Sequence, residues 1–330
     1  MKAKCIQFTN FGTPNEVLNV EYKVIQPPKE NEVLVRMIAR PINPSDLIPI
    51  RGAYAHRISL PSIPGYEGVG IVEDVGSAVS PSLVGKRVLP LRGEGTWQEF
   101  VKTSAEHTVV IPESIDHFTA AQLYINPITA WVICTQELGL SPNDVLLVNA
   151  CGSSIGHLFA QLSKVIGFRL IAITRNDNYS KELVRLGASY VINTTSVNSL
   201  YEAVMDLTDG VGANAAIDSI GGTDGNHLAF CVRPEGTFLT LGLLSGVQVD
   251  WASITNNAKV NAKLFHLRHW NKRSSIDVWQ ETFNQLITLI QDKKLRLMRP
   301  RSFYNLTEIR DAVHNVETMG ANQGKVFLMN

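Results

Sequence analysis

The sequence predicts an α/β protein in which a doubly wound parallel sheet is joined to a second, mainly β domain. Up to about residue 120, short strand patterns are broken by Gly and Pro, and helical periodicity is scarce. From there on, strand and helix patterns alternate, which is typical of βαβ units with helices on both faces of a parallel sheet. At 330 residues the chain also exceeds the usual size of a single core, which favours two domains.

The first half of the chain contains the short strands. The stretch EVLVRMIARPINPSD at 32–46 alternates between apolar and polar residues and stops at proline. Further strand patterns occupy 68–79, 85–91 and 96–111. Strands this short, with turns this frequent, indicate a compact, barrel-like domain.

The second half begins with two predicted helices that meet at Pro127. Alternation then starts with the buried strand DVLLVNA at 144–150 and continues to about residue 242. The stretch AKLFHLRHW at 262–270 predicts one more strand, and 275–294 predicts an amphipathic helix. The tail predicts a helix and a terminal strand that returns to the first domain.

These patterns place two domains along the chain. One is expected to combine residues 1–122 with 273–330, and the other to span 123–272.

Composition narrows the class of partner. Thirty basic residues balance thirty acidic ones, which argues against nucleic acid or an anionic membrane and favours a small molecule. The four cysteines are widely spaced and form no CxxC pair, which fits a reducing compartment. The amino terminus lacks an apolar signal segment, and no run of 18 apolar residues occurs. A cytoplasmic protein is the expectation.

The stretch VNACGSSIG at 148–156 lies where a dinucleotide fold carries G-x-G-x-x-G. Only Gly156, which allows close packing of helix and strand, is in register, while Cys151 and Ser153 replace the first two glycines. The hydroxyls of Ser153 and Ser154 could bond phosphate at the helix amino terminus. An ordinary strand-to-helix turn is the alternative, since one degenerate glycine motif is weak evidence.

The end of the next strand favours one cofactor. NAD-binding folds place Asp or Glu about 20 residues after the glycine turn, at the end of the second strand. Here RLIAITRND, 169–177, has Arg175 at that place. A guanidinium attracts the 2′-phosphate that a carboxylate would repel, which predicts NADPH. An exposed loop arginine without this role is the alternative.

Seven motifs in their order and spacing carry a resemblance over nearly the whole chain: INPSD (42–46), GYEGVGIVEDVGSAV (65–79), GTWQEF (95–100), YINPITAW (124–131), NACGSSIG (149–156), RLGASYVINT (185–194) and IDSIGG (217–222). The chain resembles the zinc-independent medium-chain dehydrogenases/reductases, above all the mitochondrial-type trans-2-enoyl thioester reductases and then the quinone oxidoreductases. The resemblance implies a Rossmann cofactor domain and a GroES-like barrel catalytic domain.

No metal site is expected. Zinc members of the superfamily carry a cysteine near NPSD and a histidine at the position of Tyr66, and this chain has neither. Zinc needs thiolate or imidazole ligands. The histidines are scattered without ligand spacing.

The resemblance also implies roles for individual residues. Tyr54, in IRGAYAHR, matches a proton-donating tyrosine, with a half-buried loop tyrosine as the alternative, and His56 is a second candidate donor. The expected cofactor residues are Asn126, Gly152, Ser153, Ser154, Ile155, Gly156, Arg175, Leu241, Gly242, Phe265, His266 and Lys325. The expected substrate pocket holds Asn43, His56 and Trp270.

Three functions remain open from the sequence. The first is NADPH-dependent reduction of an activated C=C bond in a 2-enoyl thioester or enone, the second is quinone reduction, and the third is NADPH binding without catalysis. Without a metal to polarise a simple alcohol or ketone, an activated alkene or a quinone is favoured. The stretch AKLFHLR also predicts a free sheet edge, and therefore a homodimer joined through the cofactor domain.

Overall fold

The structure, a computed structural model, describes residues 2–319 and 324–330. Contacts divide the chain into unit 1, Met1–Ile125 with Ser275–Asn330, and unit 2, Asn126–Ser274. Each unit has hydrophobic clusters of its own. Gly320, the last residue of the predicted tail helix, lies outside the described residues.

The described residues form strands and helices in the following order. The strands are β1 Lys2–Gln7, β2 Asn19–Val24, β3 Glu32–Pro41, β4 Val69–Val75, β5 Arg87–Pro90, β6 Phe100–Ser104, β7 Thr108–Val110, β8 Val145–Val148, β9 Arg169–Thr174, β10 Tyr190–Asn193, β11 Ala213–Asp218, β12 Val232–Thr240, β13 Asn261–Leu264, β14 Pro300–Asn305 and β15 Lys325–Met329. The helices are α1 Pro14–Val17, α2 Pro44–Ile50, α3 His117–Ala121, α4 Ile125–Val132, α5 Ser154–Ile166, α6 Ser180–Leu186, α7 Leu200–Leu207, α8 Gly222–Phe230, α9 Trp251–Ser253, α10 Leu267–Arg273, α11 Ile276–Gln291 and α12 Ile309–Met319.

Unit 1 is built on a mixed, mainly antiparallel sheet in the order β14-β15-β3-β4-β5-β7, with β6 also paired to β3. The long strand β3 pairs with β6 along its first part and with β15 along Ala39–Pro41. The carboxy-terminal strand therefore joins the first domain, as predicted. Strands β1 and β2 form a separate two-stranded sheet. Inward-facing side chains of β3 and β4, such as Val35, Met37 and Val72, are buried together.

Unit 2 is a six-stranded parallel sheet in the order β10-β9-β8-β11-β12-β13. The strand order reverses between β8 and β11, so this is a doubly wound sheet with a switch point there. All four residues of β8 are buried, as expected for a parallel strand covered by helices on both faces. The predicted fold class, an α/β protein with a parallel-sheet domain and a separate mainly β domain, is confirmed.

Two predicted boundaries differ from the structure. Helix α3 ends at Ala121 and α4 begins at Ile125, so Pro127 lies in the first turn of α4 instead of at a junction. Proline is tolerated in a first turn because its missing N–H would have no intrahelical partner there. The predicted strand 262–270 ends at Leu264, because His266 caps α10 by accepting a hydrogen bond from the N–H of Arg268.

All four cysteines are buried and free of disulfide bonds. Across the described ranges, no helix combines the length and the apolar composition that crossing a membrane requires.

Candidate functional site

The turn between β8 and α5 has the geometry of a phosphate cradle. Ser153 caps α5 by accepting a hydrogen bond from the N–H of Gly156 at 3.3 Å. A Cβ at Gly156 would overlap the carbonyl oxygen of Cys151, so only glycine allows the helix to start this close to the turn. The first N–H groups of a helix lack intrahelical partners and carry partial positive charge. The turn therefore suits an anion such as a pyrophosphate.

The unusual residues of this turn are explained by their surroundings. The side chain of Cys151 points into the interior and is fully buried, and burial raises its pKa to about 12. Its thiol therefore stays neutral and leaves the exposed face of the turn to the backbone. Gly152 lies under the ring of Tyr179, which a Cβ there would approach to 2.9 Å. The aromatic ring thus covers the turn from the loop after β9.

Two residues at the switch point were missed by the sequence analysis. Asn149 follows β8 and Asp218 ends β11, and the amide Nδ2 of Asn149 donates to the buried carboxylate of Asp218 at 2.5 Å. The same carboxylate accepts the N–H groups of Ile220 and Gly221, while the N–H of Ser219 donates to the Oδ1 of Asn149. This network fixes the loop after β11. The motif IDSIGG contained the signal, since an acid at a strand end before glycines commonly orders a turn.

The predicted residues after β12 and β13 lie on ordered backbone. The N–H groups of Leu241 and Gly242 both face the carbonyl oxygen of Asp218, at 2.7 and 3.4 Å. Phe265 is buried, and its N–H donates to Thr240 at 2.9 Å. Five predicted cofactor residues are thus held at the carboxyl ends of strands β8, β12 and β13: Ser153, Gly156, Leu241, Gly242 and Phe265.

Trp270 has a structural position. Its indole is 1% exposed, and the Nε1–H donates to the side-chain oxygen of Gln136 at 2.8 Å. The predicted pocket residue Trp270 thus lies in the interior of unit 2, bonded to Gln136. The half-buried His266 is occupied as the cap of α10.

Arg175 follows β9 directly and is exposed. The loop that it begins runs to Tyr179 and is ordered by short-range hydrogen bonds, including one from the hydroxyl of Thr174 to the carbonyl of Asn176 at 2.9 Å. A guanidinium is thus presented at the end of the strand next to the β8–α5 turn.

Unit 1 contains a buried polar cluster formed by Asn43, Asp46, Glu67 and Lys325. The Nζ of Lys325 donates to the Oδ1 of Asn43, whose Nδ2 donates to Glu67 at 2.7 Å. The other oxygen of Glu67 accepts the N–H groups of Tyr124 and Ile125 at 3.1 and 2.8 Å. Asp46 accepts the N–H of Asn43 and that of Tyr66. Two carboxyl groups and one amino group are therefore buried together.

Burial dominates the charge states of this cluster. It raises the pKa of Asp46 to about 7, and the nearby charge of Glu67 acts in the same direction. Burial also raises the pKa of Glu67, against the opposing effect of the Lys325 charge and of its own hydrogen bonds. The pKa of Lys325 is lowered by burial, while Glu67 and Asp46 favour its charged form. The two acids therefore oppose the effect of burial on the pKa of Lys325.

Tyr54 and His56 lie just after α2, also in unit 1. Tyr54 is half-buried, and the guanidinium carbon of Arg57 lies 3.7 Å from the centroid of its ring. His56 is exposed. Arg57, which the sequence analysis did not single out, makes a cation–π contact with this ring.

The predicted residues are distributed over both units. Asn43 and Lys325 come together in unit 1, and Asn126, at the start of unit 2, is half-buried. Among the described residues, no group of three or more His, Cys, Asp or Glu side chains is arranged to hold a metal ion.

Two family models match the chain. Residues 29–113 match the alcohol dehydrogenase GroES-like domain, and residues 154–292 match the zinc-binding dehydrogenase family. The chain is 31% identical over 301 residues to the mitochondrial enoyl-[acyl-carrier-protein] reductase of Mus musculus, covering 89% of this chain and 80% of the relative.

Solved structures agree with this assignment. A protein from Bacillus thuringiensis, to which an NADPH:quinone reductase activity is ascribed, is 64% identical with a TM-score of 0.98, over 100% of this chain and 99% of that chain. The Escherichia coli quinone oxidoreductase, solved with NADPH, shares the fold at 24% identity and a TM-score of 0.88, over 99% of this chain and 100% of that chain.

The chain belongs to the medium-chain dehydrogenase/reductase superfamily, of the zinc-independent type, and is an oxidoreductase. The resemblance inferred from the seven motifs is confirmed.

Asp46→Asn is expected to change how stability depends on pH. The folded state binds the Asp46 proton more tightly than the unfolded chain, so protonation of Asp46 stabilises the fold. This contribution to the free energy of unfolding is complete below pH about 4 and is lost as the pH rises through about 7. The free energy of unfolding of the native protein, minus that of the variant, should therefore fall by up to about 4 kcal/mol over this range. Urea denaturation at a series of pH values measures the difference. The exposed Asp292→Asn serves as a control, and a constant difference for Asp46→Asn would contradict the assignment.

Proposed function

We propose that the protein is an NADPH-dependent reductase of activated C=C bonds, with a 2-enoyl thioester or an enone as substrate. The observation that carries the cofactor assignment is Arg175, an exposed guanidinium at the end of β9 beside a turn that suits a phosphate. The mouse relative is named as an enoyl reductase, which supports the substrate class.

The residues proposed to hold the cofactor are those that the sequence motifs and the family resemblance imply. The backbone of the β8–α5 turn would bind the pyrophosphate through residues 152–156, and Arg175 would bind the 2′-phosphate. The residues proposed for the nicotinamide end are Asn126, Leu241, Gly242, Phe265 and His266. When bound, NADPH supplies the hydride, and the protein supplies position and electrostatic field.

Lys325 would contribute a fixed positive charge to the binding of this anionic cofactor. Asn43 orients its ammonium group, while Glu67 and Asp46 favour the charged form. A buried lysine without such acids would tend to lose its proton.

The proposed reaction needs no metal ion. At the positions that match the zinc ligands of other superfamily members, this chain has NPSD without cysteine and Tyr66 without imidazole. The neighbouring acids, Asp46 and Glu67, are already bonded to N–H donors. Lys325 supplies the cation in this cluster.

Tyr54 is the proposed proton donor. Reduction of the double bond adds a hydride at the β-carbon and a proton at the α-carbon, and the phenol O–H of Tyr54 would give that proton. Charge that develops on the substrate carbonyl oxygen requires hydrogen-bond donors, for which backbone N–H groups or a hydroxyl are suited. Arg57 holds the ring from one face. His56 remains the alternative donor, because it is exposed two residues further on.

Quinone reduction is the second candidate. The 64% identical Bacillus thuringiensis protein, to which this activity is ascribed, favours it. A quinone can take its protons from water after the hydride has arrived, so it requires no positioned phenol. The two candidates therefore differ in their dependence on Tyr54.

Arg175→Ala is expected to erode the preference for NADPH. Loss of a charge-assisted phosphate contact should weaken NADPH binding by about 1.5–3 kcal/mol and leave NADH binding nearly unchanged. Fluorescence titration with both cofactors measures this, with the exposed Arg185→Ala on α6 as control. Equal affinity of the native protein for both cofactors would contradict the assignment.

Tyr54→Phe is expected to separate the two substrate classes. The variant keeps the ring and its contact with Arg57 but loses the acidic hydrogen, so reduction of a crotonyl thioester or an enone should fall about 10²–10⁴-fold. NADPH binding and quinone reduction should remain close to native values. The exposed Tyr22→Phe is the matched control. A silent Tyr54→Phe, with an activity profile that breaks near neutral pH, would transfer the role to His56.

We further propose a homodimer formed along β13. This strand ends the sheet of unit 2, and Leu264 on it is 68% exposed. Pairing with a second copy across a two-fold axis would satisfy the free edge. Sedimentation at micromolar concentration should show a dimer, and Leu264→Glu should shift it towards monomer, whereas Val211→Glu, at another exposed apolar residue, should not. A monomeric native protein would be inconsistent with this arrangement.

A further inference from the structure

The loop after β9 carries a negative charge close to Arg175. Residues 175–179, RNDNY, contain one carboxylate, that of Asp177, and both charged residues are exposed. In dinucleotide folds a carboxylate at this end of the strand selects NAD and repels a 2′-phosphate. Where the Asp177 carboxylate is held therefore bears on which cofactor is bound.

Two hydrogen bonds occupy both oxygens of Asp177. Its Oδ2 accepts from the Nδ2 of Asn193 at 2.9 Å, and its Oδ1 accepts from the hydroxyl of Ser180 at 3.1 Å. The amide of Asn193 is itself oriented, because its Oδ1 accepts the N–H and the hydroxyl of Thr195 at 3.0 and 2.9 Å. The amino group of Asn193 is thereby directed to the carboxylate.

The strand order shows towards which side the hydrogen bond from Asn193 holds the Asp177 carboxylate. Asn193 ends β10 and pairs with Thr174 at the end of β9, whereas the phosphate turn follows β8 on the other side of β9. The hydrogen bond from Asn193 therefore holds the Asp177 carboxylate on the β10 side of the loop, away from the turn. At the other end of the loop, the ring of Tyr179 packs on Gly152 of the turn.

We infer that the hydrogen bond between Asn193 and Asp177 sets cofactor selectivity, because it keeps the carboxylate of the loop away from the 2′-phosphate of NADPH. The inference rests on the proposed function and adds to it Asn193 and Ser180 as positioning residues. Neither would touch the cofactor, since both act through Asp177. Bringing a carboxylate to about 5 Å from a phosphate dianion in water weakens binding by about tenfold or more.

A double-mutant cycle tests the inference. Asn193→Ala should raise the dissociation constant for NADPH about tenfold at low salt and leave that for NADH unchanged or lowered. Asp177→Asn alone should preserve the NADPH preference, and Asn193→Ala combined with Asp177→Asn should restore NADPH binding to near the native value. If Asn193 only stabilised β10, removing the Asp177 charge would not restore NADPH binding in the double variant. Ser180→Ala, which removes the second hydrogen bond, should shift the same ratio about threefold, and Asn178→Ala in the same loop is the control.

The outcomes separate this inference from the proposed function. Binding of neither NADPH nor NADH by the native protein would overturn both. Native preference for NADPH, with an unchanged NADPH-to-NADH ratio in Asn193→Ala and Ser180→Ala, would overturn the selectivity role alone. Absence of restoration in the double variant would do the same. Thermal unfolding of each variant shows whether it folds, and Ser180→Ala provides the test should Asn193→Ala fail to fold.

Discussion

The buried carboxylate of Glu67 is the constraint on which the arrangement of unit 1 depends. A carboxyl group that is 2% exposed must be met by hydrogen-bond partners, and here three N–H donors come from distant segments. Leaving a buried polar group without its hydrogen-bond partner typically costs about 1–3 kcal/mol, so these segments are held to one geometry. Glu67 thereby places the start of α4, the amide of Asn43 and, through it, the ammonium of Lys325.

Unit 2 also contains a buried, multiply hydrogen-bonded acid, at the switch point of its sheet. The carboxylate of Asp218 is fully buried and accepts hydrogen bonds from Asn149 and from the loop that follows β11. Loops at the carboxyl ends of parallel strands would otherwise be free to vary. In both units a buried acid accepts backbone N–H groups and thereby fixes the course of a connection between elements.

The sequence was sufficient for the fold class because hydrophobic periodicity and strand–helix alternation are local signals. It misplaced the helix start near Pro127 and the end of the strand before His266, since a proline in a first turn and a capping histidine are recognised only when the helix itself is located. Gly156 and Arg175 were found from their spacing along the chain.

Other site residues depend on contacts between remote segments. The partnership of Lys325 with Asn43 joins the two ends of the chain, and no pattern within either segment encodes it. Trp270 was assigned to the pocket from the family resemblance, and its hydrogen-bond partner Gln136 comes from a distant helical segment that the local pattern does not reveal. The hydrogen bond between Asn193 and Asp177 could not be predicted from the sequence either, since Asn193 lies one strand further along the chain.

The burial of every cysteine has a chemical consequence for an enzyme of the proposed class. Enones and quinones alkylate thiolates, and the thiolate is the reactive form of cysteine. Burial raises the pKa of Cys5, Cys134, Cys151 and Cys231, so each remains a shielded thiol at neutral pH. An enzyme of the proposed class would thus offer its electrophilic substrates no exposed cysteine thiol.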